Sequence, residues 1–112
     1  KIDGVTAPEL IESTTRASWF VYVIKVDKSA DRDRFALILE EKGVPVRPYF
    51  SPIHLQPFMQ EMFGFESGDY PVTEDLGNRS LALPFSGRMT EEEVKSVCER
   101  IADALIASKN HA

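Results

Sequence analysis

Cysteine is nearly missing from these 112 residues, with Cys98 the only one. A single thiol excludes an intrachain disulfide and any metal site built from several thiolates of this chain, and it suits a reducing, cytoplasmic setting. Long apolar runs are missing too. No stretch is long enough to span a bilayer, and no charged start leads into an apolar run with a cleavage site, so no membrane partner is expected. Positive charge is in short supply: 13 Lys and Arg stand against 18 Asp and Glu, a formal net charge of -5. With little attraction for a phosphate backbone and no basic cluster interleaved with aromatics, no nucleic acid partner is expected either. There is no initiator methionine. The opening Lys1-Ile2-Asp3-Gly4-Val5 reads as the interior of a longer polypeptide. Assembled catalytic motifs are also lacking: there is no Gly-x-Ser-x-Gly elbow, no phosphate-cradling glycine loop and no His-Glu-x-x-His pair.

What is present is enough for one core, since 43% of the residues are hydrophobic. The chain reads as a single domain over residues 1–112, with a lead-in segment at 1–17, a core at 18–108 and a tail at 109–112. Gly4 and Pro8 make the lead-in a loop, with residues 9–12 suited to a short helical turn. Residues 19–26, Trp-Phe-Val-Tyr-Val-Ile-Lys-Val, are β-branched and aromatic, which predicts a strand. Alternation puts Trp19, Val21 and Val23 on one face and Phe20, Tyr22, Ile24 and Val26 on the other, so both faces look apolar and need covers.

Asp31 is placed to cap a helix running through Lys42, with Phe35, Ile38 and Leu39 as its buried stripe and Gly43 beyond its end. Residues 44–50 read as a second strand, at a sheet edge because Pro45 and Pro48 cannot donate to a ladder. Between 51 and 71 the chain is largely irregular, with one short helix at 57–63. A further short helix is expected at 72–79 and a brief strand at 81–84. Thr90 and Glu93 form a capping box before Val94, Val97, Cys98, Ile101, Ala102 and Leu105, which repeat at helical spacing. On that stripe Cys98 reads as a core residue and not a nucleophile, and Glu91, Glu92 and Glu93 read as helix N-terminal electrostatics. The order predicts an α+β layer, a small and mostly antiparallel sheet with helices packed on one face.

The densest chemistry lies in residues 47–58, Arg-Pro-Tyr-Phe-Ser-Pro-Ile-His-Leu-Gln-Pro-Phe. Prolines stiffen this segment, reducing the entropy lost in holding polar groups still before a ligand. Arg47 suits a carboxylate or phosphate ligand as well as an ion pair with a neighbouring acid. Tyr49 taken alone suits half-buried packing. His54 stands evenly between donation to a sugar or phosphate oxygen and a structural role. His111 falls in the tail and has no expected function.

These pieces, in this order, resemble the DegT/StrS family of fold-type I enzymes that use pyridoxal phosphate (PLP) to aminate keto-sugars. The resemblance is to the family's C-terminal small domain. It is carried by residues 19–23, by the helix and turn at 31–44, and most specifically by 47–58. Residues 70–74 (Tyr-Pro-Val-Thr-Glu), 81–84 (Leu-Ala-Leu-Pro) and 89–94 (Met-Thr-Glu-Glu-Glu-Val) follow in the family's order. It implies a PLP-dependent aminotransferase, with glutamate or glutamine as amino donor and a keto-sugar, nucleotide-linked in many members, as acceptor. It also implies an N-terminal domain whose lysine holds PLP as a Schiff base, and a homodimer in which two subunits complete each site. Lys1, Lys25, Lys28, Lys42, Lys95 and Lys109 match no part of the cofactor-lysine motif, so the chain carries no catalytic residue and no PLP of its own. Arg47, Tyr49 and His54 would be substrate-binding. The family that the chain resembles also includes relatives that use the cofactor for dehydration or act on inositol-type ketones. Setting the resemblance aside, a freestanding α+β module that binds a small molecule or a protein stays open.

Overall fold

The computed structural model describes residues 1–109. His111 and the tail beyond Lys109 lie outside the described residues. Nine elements follow one another: β1 (Val5–Thr6), β2 (Tyr22–Val26), α1 (Arg32–Glu41), β3 (Arg47–Pro48), a single 3₁₀ turn (Ile53–Leu55), α2 (Pro57–Phe63), α3 (Pro71–Arg79), β4 (Ser80–Leu83) and α4 (Glu91–Lys109). The strands form one antiparallel sheet in the order β1-β2-β4-β3. The α+β layer expected from the sequence is the one observed.

The core lies between this sheet and the two longest helices. Ile24 and Val26 of β2 and Leu81 of β4 meet Phe35 and Leu39 of α1 and Ile101, Ala104 and Leu105 of α4, all buried in one cluster. Each fully buried Leu, Ile or Phe side chain contributes about 1.5–3 kcal/mol, and this cluster is where most of that burial is found. α1 starts where Asp31 accepts hydrogen bonds from the Asp33 and Arg34 N–H groups, filling the role of an N-cap. It ends before Gly43, at φ +80. α4 starts on the reciprocal box: the Thr90 N–H donates to Glu93 Oε2 at 2.8 Å, and the Glu93 N–H donates to Thr90 Oγ1 at 3.2 Å.

Four expectations need correction. The first long strand begins at Tyr22 and not at Trp19, and Phe20 is 80% exposed. Its ladder partner is the reason: Tyr22 pairs with Leu83, and the next residue, Pro84, has no N–H to extend the pairing. The strand at 44–50 contracts to Arg47–Pro48 at the sheet edge, because Val44 and Val46 turn into the core and the prolines remove donors. The lead-in segment is not wholly loop, since Val5 and Thr6 pair with Val26 and Lys25, and no helical turn forms at 9–12. Cys98 is exposed and not core. It borders, with Tyr22, Leu83, Phe85 and Val94, a hollow of about 260 Å³ that no side chain of the first turns of α4 fills.

Two arginines fix the shorter helix α3 to this layer. Arg32 Nη1 donates to the Gly77 and Ser80 carbonyls, both at 3.0 Å, the first of them an acceptor that the helix C-terminus leaves unpaired. Arg79 Nε donates to the Val26 carbonyl at 2.8 Å while its Nη1 pairs with Asp75 at 2.8 Å. α3 is thereby tied to β2 by polar bonds, with no buried residue of its own. Among the described residues no helix is long and apolar enough to cross a membrane.

Candidate functional site

Residues 47–77 build a wall beside the layer. The Tyr49 N–H donates to the Ser80 carbonyl at 3.4 Å, holding the chain at the sheet edge where β3 leaves it. Pro52 precedes the 3₁₀ turn, and Pro57 opens α2 at a position that needs no N–H. Opposite, α3 comes so close that a Cβ on Gly77 would lie 2.9 Å from Pro52 Cδ and 3.2 Å from the Phe50 carbonyl. Glycine at 77 therefore lets the two walls meet. Between them opens a hollow of about 490 Å³, bordered by Tyr49, Ile53, His54, Phe65, Tyr70 and Leu76 among others.

His54 is the buried polar group of this region, 6% exposed. Tyr70 packs edge-on against its ring at 4.8 Å between centroids, and Phe65 does so at 6.3 Å. Its Nε2 lies 3.3 Å from Glu74 Oε2. Glu74, in the first turn of α3, gathers the loop before that helix. Oε1 accepts from the Gly68 N–H at 2.8 Å and the Ser67 hydroxyl at 3.1 Å. Oε2 accepts from the Gly68 N–H at 3.0 Å and the Tyr70 N–H at 3.2 Å. The Gly68 N–H foremost, and then Ser67, Tyr70 and His54, hold the Glu74 carboxyl below the usual carboxylate range, against the opposing effect of burial. Gly68 itself sits at φ +98, a conformation that side chains disfavour.

Of the three residues singled out by sequence, Tyr49 and His54 come together at the hollow and Arg47 does not. Tyr49 is half-buried, its ring edge-on to Phe50 at 4.9 Å. Arg47 is exposed on the edge strand and makes no ion pair among the described residues. Sequence reasoning includes Glu74 only in the stretch 70–74 and gives it no role in the site. An acid in the first turn of a helix reads as dipole electrostatics, and only the glycine six residues before it hints at a loop folded back onto a carboxylate.

The hollow is walled by apolar and aromatic side chains, with hydroxyl and imidazole groups as its polar elements. No lysine borders it, and a Schiff base to an aldehyde cofactor requires one. The described residues do not form a PLP site by themselves. Nor do any three of their His, Cys, Asp or Glu side chains cluster as metal ligands.

Residues 1–102 match the DegT/DnrJ/EryC1/StrS aminotransferase family. The spore coat polysaccharide biosynthesis protein SpsC of Bacillus subtilis is 30% identical over 107 residues, 92% of this chain and 27% of SpsC. GDP-perosamine synthase of Escherichia coli O157:H7 is 30% identical over 83 residues, 74% of this chain and 21% of that protein. The chain thus spans about a quarter of the length of the curated relatives it matches. In fold it is similar to the PLP form of Spr1654 from Streptococcus pneumoniae, at a TM-score of 0.80 and 18% identity, covering 94% of this chain and 27% of that one. The sequence match and the shared layer agree: the chain belongs to the DegT/DnrJ/EryC1/StrS aminotransferase family, whose enzymes depend on PLP.

Proposed function

We propose that this chain is the C-terminal small domain of a longer, cytoplasmic, homodimeric aminotransferase that passes an amino group from glutamate or glutamine to a nucleotide-linked keto-sugar. PLP, when bound, supplies the electron sink for that exchange, and its lysine belongs to the rest of the polypeptide. The observation that carries the reading is the proline-stiffened segment 47–58, which brings Tyr49 and His54 to one hollow beside the sheet edge. A family enzyme has to distinguish its sugar somewhere, and a mostly apolar pocket with a few fixed polar groups is suited to orienting a ligand. Tyr49 and His54 would contact the substrate, and Arg47, left without a carboxylate partner, would meet an anionic group of it from the rim.

The test is an amination assay on the whole polypeptide that carries these residues, with nucleotide-linked keto-sugars and each amino donor. An amino-sugar product is expected. A dehydrated sugar, an aminated inositol-type ketone, or a natural polypeptide no longer than this chain would overturn the reading. Replacing His54 with Ala should slow sugar turnover by at least about tenfold, the equivalent of one lost hydrogen bond, while PLP absorbance stays in place.

A further inference from the structure

The environment of His54 contains more order than a packing role requires. The Glu74 carboxylate is fixed by the Ser67 hydroxyl and the Gly68 and Tyr70 N–H groups, three donors that do not involve the histidine. Its placement therefore does not depend on the imidazole alone. An ionised carboxylate can only accept hydrogen bonds, so the ring nitrogen facing it at 3.3 Å, Nε2, has to carry a proton. In a neutral imidazole that leaves Nδ1 without one. Among the described residues Nδ1 has no hydrogen-bond partner, yet no buried polar side-chain atom is left unsatisfied. Nδ1 consequently reaches solvent from a ring that borders the hollow. Tyr70 and Phe65, both edge-on, hinder the ring from turning over, which would set the carbons Cε1 and Cδ2 where Nε2 and Nδ1 now stand.

We propose that Glu74 is a positioning residue that holds the Nε2–H of His54, so that Nδ1 is offered to the hollow as an acceptor for a substrate hydroxyl group. This rests on the aminotransferase reading for the identity of the substrate, though not for the tautomer. It also changes what His54 is suited to recognise. A neutral Nδ1 meets a sugar O–H, which donates, and is poorly matched to a phosphate oxygen, which has no proton to give.

Two measurements on the whole polypeptide test it, with histidine labelled in its ring nitrogens and His54 assigned from the signals missing in His54→Asn. In alkaline solution the wild type should show a protonated Nε2 and an unprotonated Nδ1. The opposite pattern, or a mixture, overturns the proposal without any variant having to fold. Glu74→Gln, whose amide can either donate or accept, should turn that single tautomer into a mixture and raise the KM for the keto-sugar by about tenfold, one hydrogen bond. Glu74→Asp should recover part of both effects. A Glu74→Gln protein that keeps the wild-type tautomer, or loses affinity for amino donor and sugar alike, places Glu74 among residues that merely hold the loop. If the tautomer is as stated but no keto-sugar is aminated, the functional reading fails and the role of Glu74 in orienting His54 stands.

Discussion

The sheet layer and the wall of residues 47–77 are held together by different physics. In the layer, ten buried aliphatic and aromatic side chains from two strands, two helices and the stretch after α1 share one cluster. In the wall, α2 and α3 bury no residue at all, and order comes from prolines, from Gly77 at a close crossing and from one carboxylate with several donors. Apolar burial is non-directional and spread over many atoms. A carboxylate hub is directional and can be cut at one point. The first arrangement suits a scaffold, and the second suits side chains that have to be held at set angles.

The contrast can be broken most severely at the layer. Leu39→Ala, at a fully buried position, should cost about 2–5 kcal/mol, read as a lowered midpoint in urea with every probe moving together. A separate, earlier transition of α1 alone would show that the layer is not one unit.

Gly77→Ala tests the wall. Helix propensity alone favours Ala by about 1 kcal/mol, but the added Cβ meets the Pro52 ring and the Phe50 carbonyl, neither of which can swing away. Overpacking of this kind costs about 1–3 kcal/mol, so a net loss of stability is expected, with displacement of residues 50–52. A rise in Tm would mean that the walls are not in contact.

Acid sharpens the comparison further. The Glu74 carboxyl is held below its ordinary value in the folded protein. The unfolded chain therefore takes up its proton first as pH falls. The stabilisation from Glu74 is fully present above the ordinary carboxylate range and is lost as pH drops through the lowered folded value. Hydrogen exchange at the Gly68 and Tyr70 amides should accelerate in that window, ahead of the core amides, and Glu74→Gln should abolish this acid-dependent step. Equal acceleration in both regions would remove the distinction. The smallest effect is expected at Phe58, 58% exposed on α2. Phe58→Ser should leave stability within about 0.5 kcal/mol by thermal melting.

Burial on this scale is legible in a sequence because it is periodic. Asp31, Phe35, Leu39 and Gly43 announce α1, and Thr90 with Glu93 announces α4, each through rules that need only local spacing. Where a neighbour decides, the spacing misleads: Pro84 stops the ladder that Trp19 and Phe20 would have joined, and Cys98 sits at helical spacing yet borders an open hollow and stays exposed. The site is half legible. Prolines mark residues 47–58 as a stiffened segment carrying Arg47, Tyr49 and His54, of which only Tyr49 and His54 reach the hollow. Glu74 is hidden because its partners are backbone N–H groups, which every sequence has and none displays.

The edges of the sheet carry a further consequence. One outer strand, β3, is two residues long, bears the charge of Arg47 and includes Pro48, which has no N–H to offer. The other, β1, is also two residues long. Neither edge gives a second molecule a row of donors and acceptors to add to. Yet Phe20, Phe58, Met62 and Phe63 are left facing water. Copies of this domain kept apart from other partners should therefore gather through side chains, in clusters that dilution disperses, and not by the strand-to-strand growth that ends in fibrils.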